Sequence, residues 1–161
     1  MRIALIAYDT ALPGEKGLGR MYYIADMFRR YDYSVDLITG SFQHWEKRFR
    51  TQKEMERAQS ECEISFMKQC GYTKNIQLRR IYSLRVMARN IRKHLLKNSY
   101  DLVYCLIPDN HIAAVAARYA KDRGIPFIID VEDLWPEAMR MVFDVPIVSD
   151  VLFSYFTINA R

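Results

Sequence analysis

Residues 130–137, Asp-Val-Glu-Asp-Leu-Trp-Pro-Glu, place four carboxylates within eight residues, directly after an apolar run. Carboxylates this crowded are costly to bury together, so some of them should face a wet cleft or a cation-bearing ligand. A carboxylate there can orient or deprotonate a hydroxyl. That makes Asp133 the candidate catalytic residue and Glu132 a candidate substrate contact. Trp135 can pack under a sugar or a lipid headgroup, or Trp135-Pro136 can simply lock the turn into a following helix, since proline suits the first helical position.

A second group precedes a helical pattern near the N-terminus: Gly14, Glu15, Lys16, Gly17, Leu18, Gly19 and Arg20. Glycines at a helix entry let the backbone approach a ligand, and the free N–H groups there favour anions. Gly17, Gly19 and Arg20 are therefore candidate substrate-binding residues; the alternative is a flexible entry loop. The GxGxxG spacing of a dinucleotide fingerprint is missing. A third loop, residues 108–111, reads as a helix cap, with His111 on the first turn.

The surrounding elements explain why these three loops belong together. Residues 2–8 are a continuous apolar run, as expected of a strand buried on both faces of a parallel sheet. A helix over 18–31 and a strand over 34–39 complete a βαβ unit. Residues 42–59 are dense in charge and read as helix or partly ordered loop, with a short strand over 63–67. The clearest helix spans 78–97. Ile81, Leu84, Ala88, Ile91 and Leu95 form its buried stripe, and Arg79, Arg85, Arg89, Arg92, Lys93 and Lys97 its polar face. A strand over 101–107, a helix from Asp109 or Asn110 to Gly124, and a strand over 126–131 follow. Helices are also expected from about Pro136 and over 148–157. The alternation predicts an α/β, Rossmann-like, doubly wound and mainly parallel sheet. In such a sheet ligands sit beyond the carboxyl ends of the strands, which is where the loops after Tyr8, Ile107 and Val131 lie.

The chain has 161 residues, suited to one domain, and is 50% hydrophobic. No stretch approaches the roughly 18 apolar residues of a membrane span, and the N-terminus is too soon polar for a signal peptide. Cys62, Cys70 and Cys105 are odd in number and lack a CxxC pair, which points to a reducing cytoplasm. The scattered His44, His94 and His111 suggest no metal site. A net charge of +5 favours an anionic partner. Basic and acidic residues are interleaved and no nucleic-acid-binding motif is present, so a nucleic-acid partner is not expected.

Residues 124–138 (GIPFIIDVEDLWPEA) resemble the strand exit of glycosyltransferase family 4, in the subgroup that builds capsule and O-antigen saccharides. The opening strand, the loop ending in Gly17-Leu18-Gly19-Arg20 and residues 33–40 (YSVDLITG) are similar to that family's beginning. The resemblance implies the N-terminal, acceptor-binding half of a GT-B fold, whose C-terminal half binds the nucleotide sugar. It implies a retaining, hexosyltransferase-like reaction without a metal or a cofactor, the donor being a nucleotide-diphosphate sugar. Gly17 and Gly19 would approach the donor diphosphate, and Glu132 and Asp133 would face the acceptor and the reacting sugar. Two departures stand out. Many relatives carry histidine or arginine where Glu132 stands, and the donor half with its paired glutamates is absent from these residues.

The function expected is sugar transfer to a saccharide or lipid-linked saccharide in cell-surface polysaccharide synthesis, by residues 1–161 together with a donor-binding domain and not by this fragment alone. The alternatives are a non-catalytic docking subunit of a two-chain glycosyltransferase and an unrelated nucleotide-binding or regulator-like α/β domain. The expected location is cytoplasmic and peripheral on the inner membrane. The polar face of helix 78–97 and the aromatic and basic stretch 44–50 are the expected contacts with anionic lipid.

Overall fold

The computed structural model describes residues 1–75, 77–107 and 110–132. The expected helices beyond Pro136, together with Asp133, Trp135 and the capping residue Asp109, lie outside the described residues. Among the described residues seven strands and four helices follow in the order β1 (Arg2–Ile6), α1 (Arg20–Arg30), β2 (Ser34–Gly40), β3 (Phe42–Gln43), β4 (Arg48–Phe49), α2 (Gln52–Glu61), β5 (Ile64–Met67), α3 (Leu78–Lys97), β6 (Leu102–Ile107), α4 (Asn110–Arg123) and β7 (Phe127–Val131). Five strands form one parallel sheet in the order β5-β2-β1-β6-β7, while β3 and β4 pair antiparallel.

The period of two along β1 sorts the core into two layers. Ala4 and Ile6 pack with Met87, Ala88, Ile91 and Leu95 of α3 and with Ile112, Ala113 and Ala116 of α4. Ile3 and Leu5 pack with Met21 and Ala25 of α1 and Ala58 of α2 on the opposite face. The chain winds outward from β1 through β2 to β5, then returns to β6 and β7. With crossovers of one hand, that reversal sends α3 and α4 to the other face. The architecture is the Rossmann-like, doubly wound α/β sheet expected, and its switch point lies between β1 and β6.

Residues 42–59 differ from expectation. They are not simply a helix or a loop: a two-residue hairpin turns through Lys47, at φ 54°, and precedes α2. Thr51 starts α2 with a capping box, its side chain accepting from the Glu54 N–H while Glu54 accepts from the Thr51 N–H. Helix α1 begins at Arg20, slightly later than expected, with Gly19 at its N-cap.

At the amino edge of the sheet a polar network pins α3 down. Asp36, only 1% exposed, accepts from His94 Nε2 at 2.7 Å and from the Tyr100 hydroxyl. Burial alone would raise the carboxyl pKa of Asp36, but the His94, Tyr100 and Ser65 hydrogen bonds outweigh it and hold it low.

Candidate functional site

The glycine loop after β1 is clamped by the hairpin. Arg50 is 4% exposed, and its fork meets Glu15 through two 2.7 Å bonds, Nε to Oε1 and Nη2 to Oε2. Its Nη1 also donates to the Gly40 carbonyl at 2.6 Å and its Nη2 to the Thr10 carbonyl at 2.8 Å. Gln43, fully buried, donates to the Lys16 carbonyl at 2.5 Å and accepts from the Glu46 N–H at 2.5 Å. Gly17 sits at φ 118°, and a Cβ built on it would lie 2.3 Å from Trp45 Cδ1. The missing side chain at Gly17 therefore makes room for the Trp45 ring. Gly19 lies close to the Ala11 carbonyl, 3.3 Å from where its Cβ would be.

Arg20 and the strand exit meet across the same edge. Arg20 Nη2 lies 3.0 Å from Asp130 Oδ2, which also accepts from the Tyr104 hydroxyl at 2.8 Å. Burial first, and then Asp130, push the Tyr104 pKa up to about 12. Of the four crowded carboxylates, Asp130 thus faces a cation of the chain itself, and the charge of Arg20 is already answered. Glu132 is exposed, and its charge is felt at both Tyr8 and Arg20, which places it at this edge.

A further group gathers beside the exit of β1, contributed by three segments. Tyr8 and Asp9 follow β1, His44 and Lys47 come from the hairpin, and Tyr72 and Arg80 flank the start of α3. His44 Nδ1 lies 2.7 Å from the Tyr72 hydroxyl, and the His44 N–H donates to Asp9 Oδ1 at 3.4 Å. Arg80 reaches the Tyr8 hydroxyl at 3.5 Å. Lys47 and Arg80 stand 5.5 and 5.9 Å from the Tyr72 ring centre, within cation–π range. Burial raises the Asp9 pKa from 3.8 to about 6, although the His44 N–H and Arg50 pull it back. Burial and the neighbouring Lys47 and Arg80 lower that of His44 to about 4. The imidazole is therefore neutral at pH 7, while Asp9 titrates near neutrality, where a proton is moved most readily.

Sequence reasoning singled out the glycine loop and the strand exit as candidates and did not single out this group. The available signal was Tyr8-Asp9, a polar pair directly after the first buried strand. His44, Tyr72 and Arg80 lie too far apart in the chain to suggest one another. His111 stands on the first turn of α4, on the other side of the switch point. Among the described residues no group of three or more His, Cys, Asp or Glu side chains could hold a metal ion. No described helix is long and apolar enough to cross a membrane.

No family model matches the chain, and no curated protein matches it. Among solved structures it is similar to the C-terminal domain of a hydrogenase from Pyrococcus furiosus, seen in two crystal structures. One superposes with a TM-score of 0.52 at 16% identity, over 80% of this chain and 89% of that one. The other gives a TM-score of 0.51 at 18% identity with the same coverage. At such identity the likeness establishes the doubly wound fold alone.

Proposed function

We propose that this chain is the acceptor-side half of a nucleotide-sugar-dependent glycosyltransferase that works with a donor-binding domain. The observation that carries the reading is the Arg20–Asp130 pair. It ties the glycine loop and α1 to the strand exit whose continuation, Asp133-Leu134-Trp135-Pro136, bears the family resemblance. Both candidate loops follow strands of one parallel sheet, and ligands of such sheets sit beyond the carboxyl ends of the strands. In this reading Glu132 and Asp133 face the acceptor, and Asp133 orients or deprotonates its hydroxyl. The backbone at Gly17 and Gly19 stands toward the donor diphosphate, with Trp45 as the wall behind Gly17. Trp135 contacts the acceptor sugar. The acceptor is a saccharide or lipid-linked saccharide, the location is the inner face of the membrane, and the chemistry proceeds without a metal.

Transfer from a panel of nucleotide sugars to lipid-diphosphate-linked saccharides tests this. Residues 1–161 alone should give no turnover, because reacting atoms are aligned only when both halves close on them. In the intact two-domain protein, Asp133→Asn should lower kcat/KM at least about tenfold, or about 1.4 kcal/mol of transition-state stabilisation. Unchanged activity would make Asp133 a structural residue, and turnover by residues 1–161 alone would refute the two-domain reading.

A further inference from the structure

Helix α3 carries seven lysines and arginines and no acid, so the rest of a chain with net charge +5 sums to −2. The positive charge is thus a property of one helix rather than of the whole surface. Its distribution on that helix is ordered. Arg85, Arg89 and Arg92 stand at positions i, i+4 and i+7, a single ridge that ends on Leu96. Facing it across a groove of 560 Å³ is a ridge of α4 bearing His111, Val115, Arg118 and Asp122. Ala88, Ala114 and Tyr119 also line the groove, whose floor is largely apolar and partly made of small side chains. Elsewhere Arg2, Arg20, Arg30, Arg48 and Arg50 each meet a carboxylate. Arg89, Arg92 and Arg118 are exposed and form no ion pair among the described residues.

We infer that the α3–α4 groove is a docking site for an acidic amphipathic helix of a partner protein. From Arg85 to Leu96 the groove runs about 16 Å, or about three turns. A helix laid along it can seat an apolar stripe on the floor and place carboxylates against Arg89 and Arg92 on one wall and Arg118 on the other, the helix-in-groove mode of recognition. The planar fork of arginine suits carboxylates presented at a fixed spacing. The shape argues against the other polyanions. A bilayer is flat, whereas these arginines line two facing walls with an apolar floor between them. A bare polyanion leaves that floor unfilled. Asp122 closes the far end and sets a direction, since an acid of the partner is repelled there.

The test uses a synthetic helical peptide of about five turns, with leucines along one stripe and glutamates at i, i+4 and i+7 beside it. Its fluorescence anisotropy is titrated with the full chain. The peptide should bind, a scrambled peptide of the same composition should bind at least tenfold more weakly, and the Arg89→Glu/Arg118→Glu variant should lose at least tenfold in affinity. Arg118→Gln should give a smaller loss in the same direction. All these positions are exposed, and an unchanged circular dichroism spectrum checks that each variant folds. Equal binding of the scrambled peptide, no binding of the ordered one, or unchanged affinity in the variants overturns the proposal. So does a variant that keeps its peptide affinity but no longer sediments with phosphatidylglycerol vesicles, because the face would then be a membrane contact.

Discussion

At the scale of single residues, Asp9 and His44 have shifts of opposite consequence. Asp9 holds its proton more tightly folded, at about 6, than at its ordinary 3.8. Between those values the folded state carries the extra proton, so stability falls as pH rises. His44 is displaced the other way, from 6.5 down to about 4, so over that interval stability rises with pH. The two windows nearly coincide and the slopes oppose each other. The wild-type protein should therefore show little net pH dependence from this pair between pH 4 and 6.5. Asp9→Asn removes one slope, and stability should then climb across the interval by on the order of 1–3 kcal/mol. His44→Gln should leave the opposite trend. Urea unfolding at pH 4, 5, 6 and 7 reads both, and the His44 imidazole resonances should titrate near pH 4. A His44 midpoint near 6.5, or parallel stability curves for wild type and Asp9→Asn, would contradict the cluster. An acid held near neutrality beside a strand exit destabilises the folded state at pH 7, a compromise common where a protein must move protons.

At the scale of elements, the hairpin is the piece on which the glycine loop depends. The Arg50 side chain is wholly buried and that of Glu15 nearly so, and together they tie β4 to the loop after β1. Removing one member of such a pair leaves a buried charge unanswered, so Arg50→Ala should destabilise the fold by about 3–5 kcal/mol, measured by urea unfolding. A loss below about 1 kcal/mol would mean that the hairpin is held by other contacts. The same pair shows why this region was not legible. Its partners stand 35 residues apart, and strands of two residues have no period to detect. Helix α2 buries only Ala58, so it shows no apolar stripe; the one local sign was Thr51 followed three residues later by Glu54. By contrast the bounds of α3 were legible, and Ala88, Ile91 and Leu95 of its expected stripe are buried against the sheet, whereas Ile81 and Leu84 are half-buried and Met87, outside that stripe, is fully buried. Strands β1 and β6 were legible as apolar runs, as parallel strands buried on both faces must be, whereas β2 carries the buried Asp36. The glycine loop and the first residues of the strand exit, Asp130 to Glu132, follow from those strands. What could not be read is which partner each loop residue takes: Trp45 on Gly17, Asp130 on Arg20 and Glu15 on Arg50 are all long-range pairings.

At the scale of the whole molecule, the proposed location at the membrane rests on which surface can reach it. The stretch 44–50 does not supply cations as its composition suggested. Arg50 is buried against Glu15, and Arg48 pairs with Glu46 at 2.6 Å and Glu54 at 2.9 Å. The stretch does supply aromatic surface: Trp45 is 55% exposed and Phe49 52%, and Leu18 of the glycine loop is 60% exposed. These side chains belong to the glycine loop and the hairpin packed on it, and the proposed function brings a lipid-linked acceptor to that edge. The α3–α4 groove lies instead on a helical face. Tryptophan and phenylalanine enter the headgroup region favourably, and the exposed Lys16 of the glycine loop can add roughly 1 kcal/mol against an anionic leaflet. The expected outcome is sedimentation with phosphatidylglycerol vesicles that weakens at high salt and drops at least about fivefold in a Trp45→Ala/Phe49→Ala variant, by loss of roughly 1 kcal/mol of insertion. The Arg89→Glu/Arg118→Glu variant should retain most of that binding, because its charges face the groove. If the aromatic variant sediments like the wild type, that edge is not what meets the lipid. If neither protein sediments with any vesicle, residues 1–161 do not bring the molecule to a membrane.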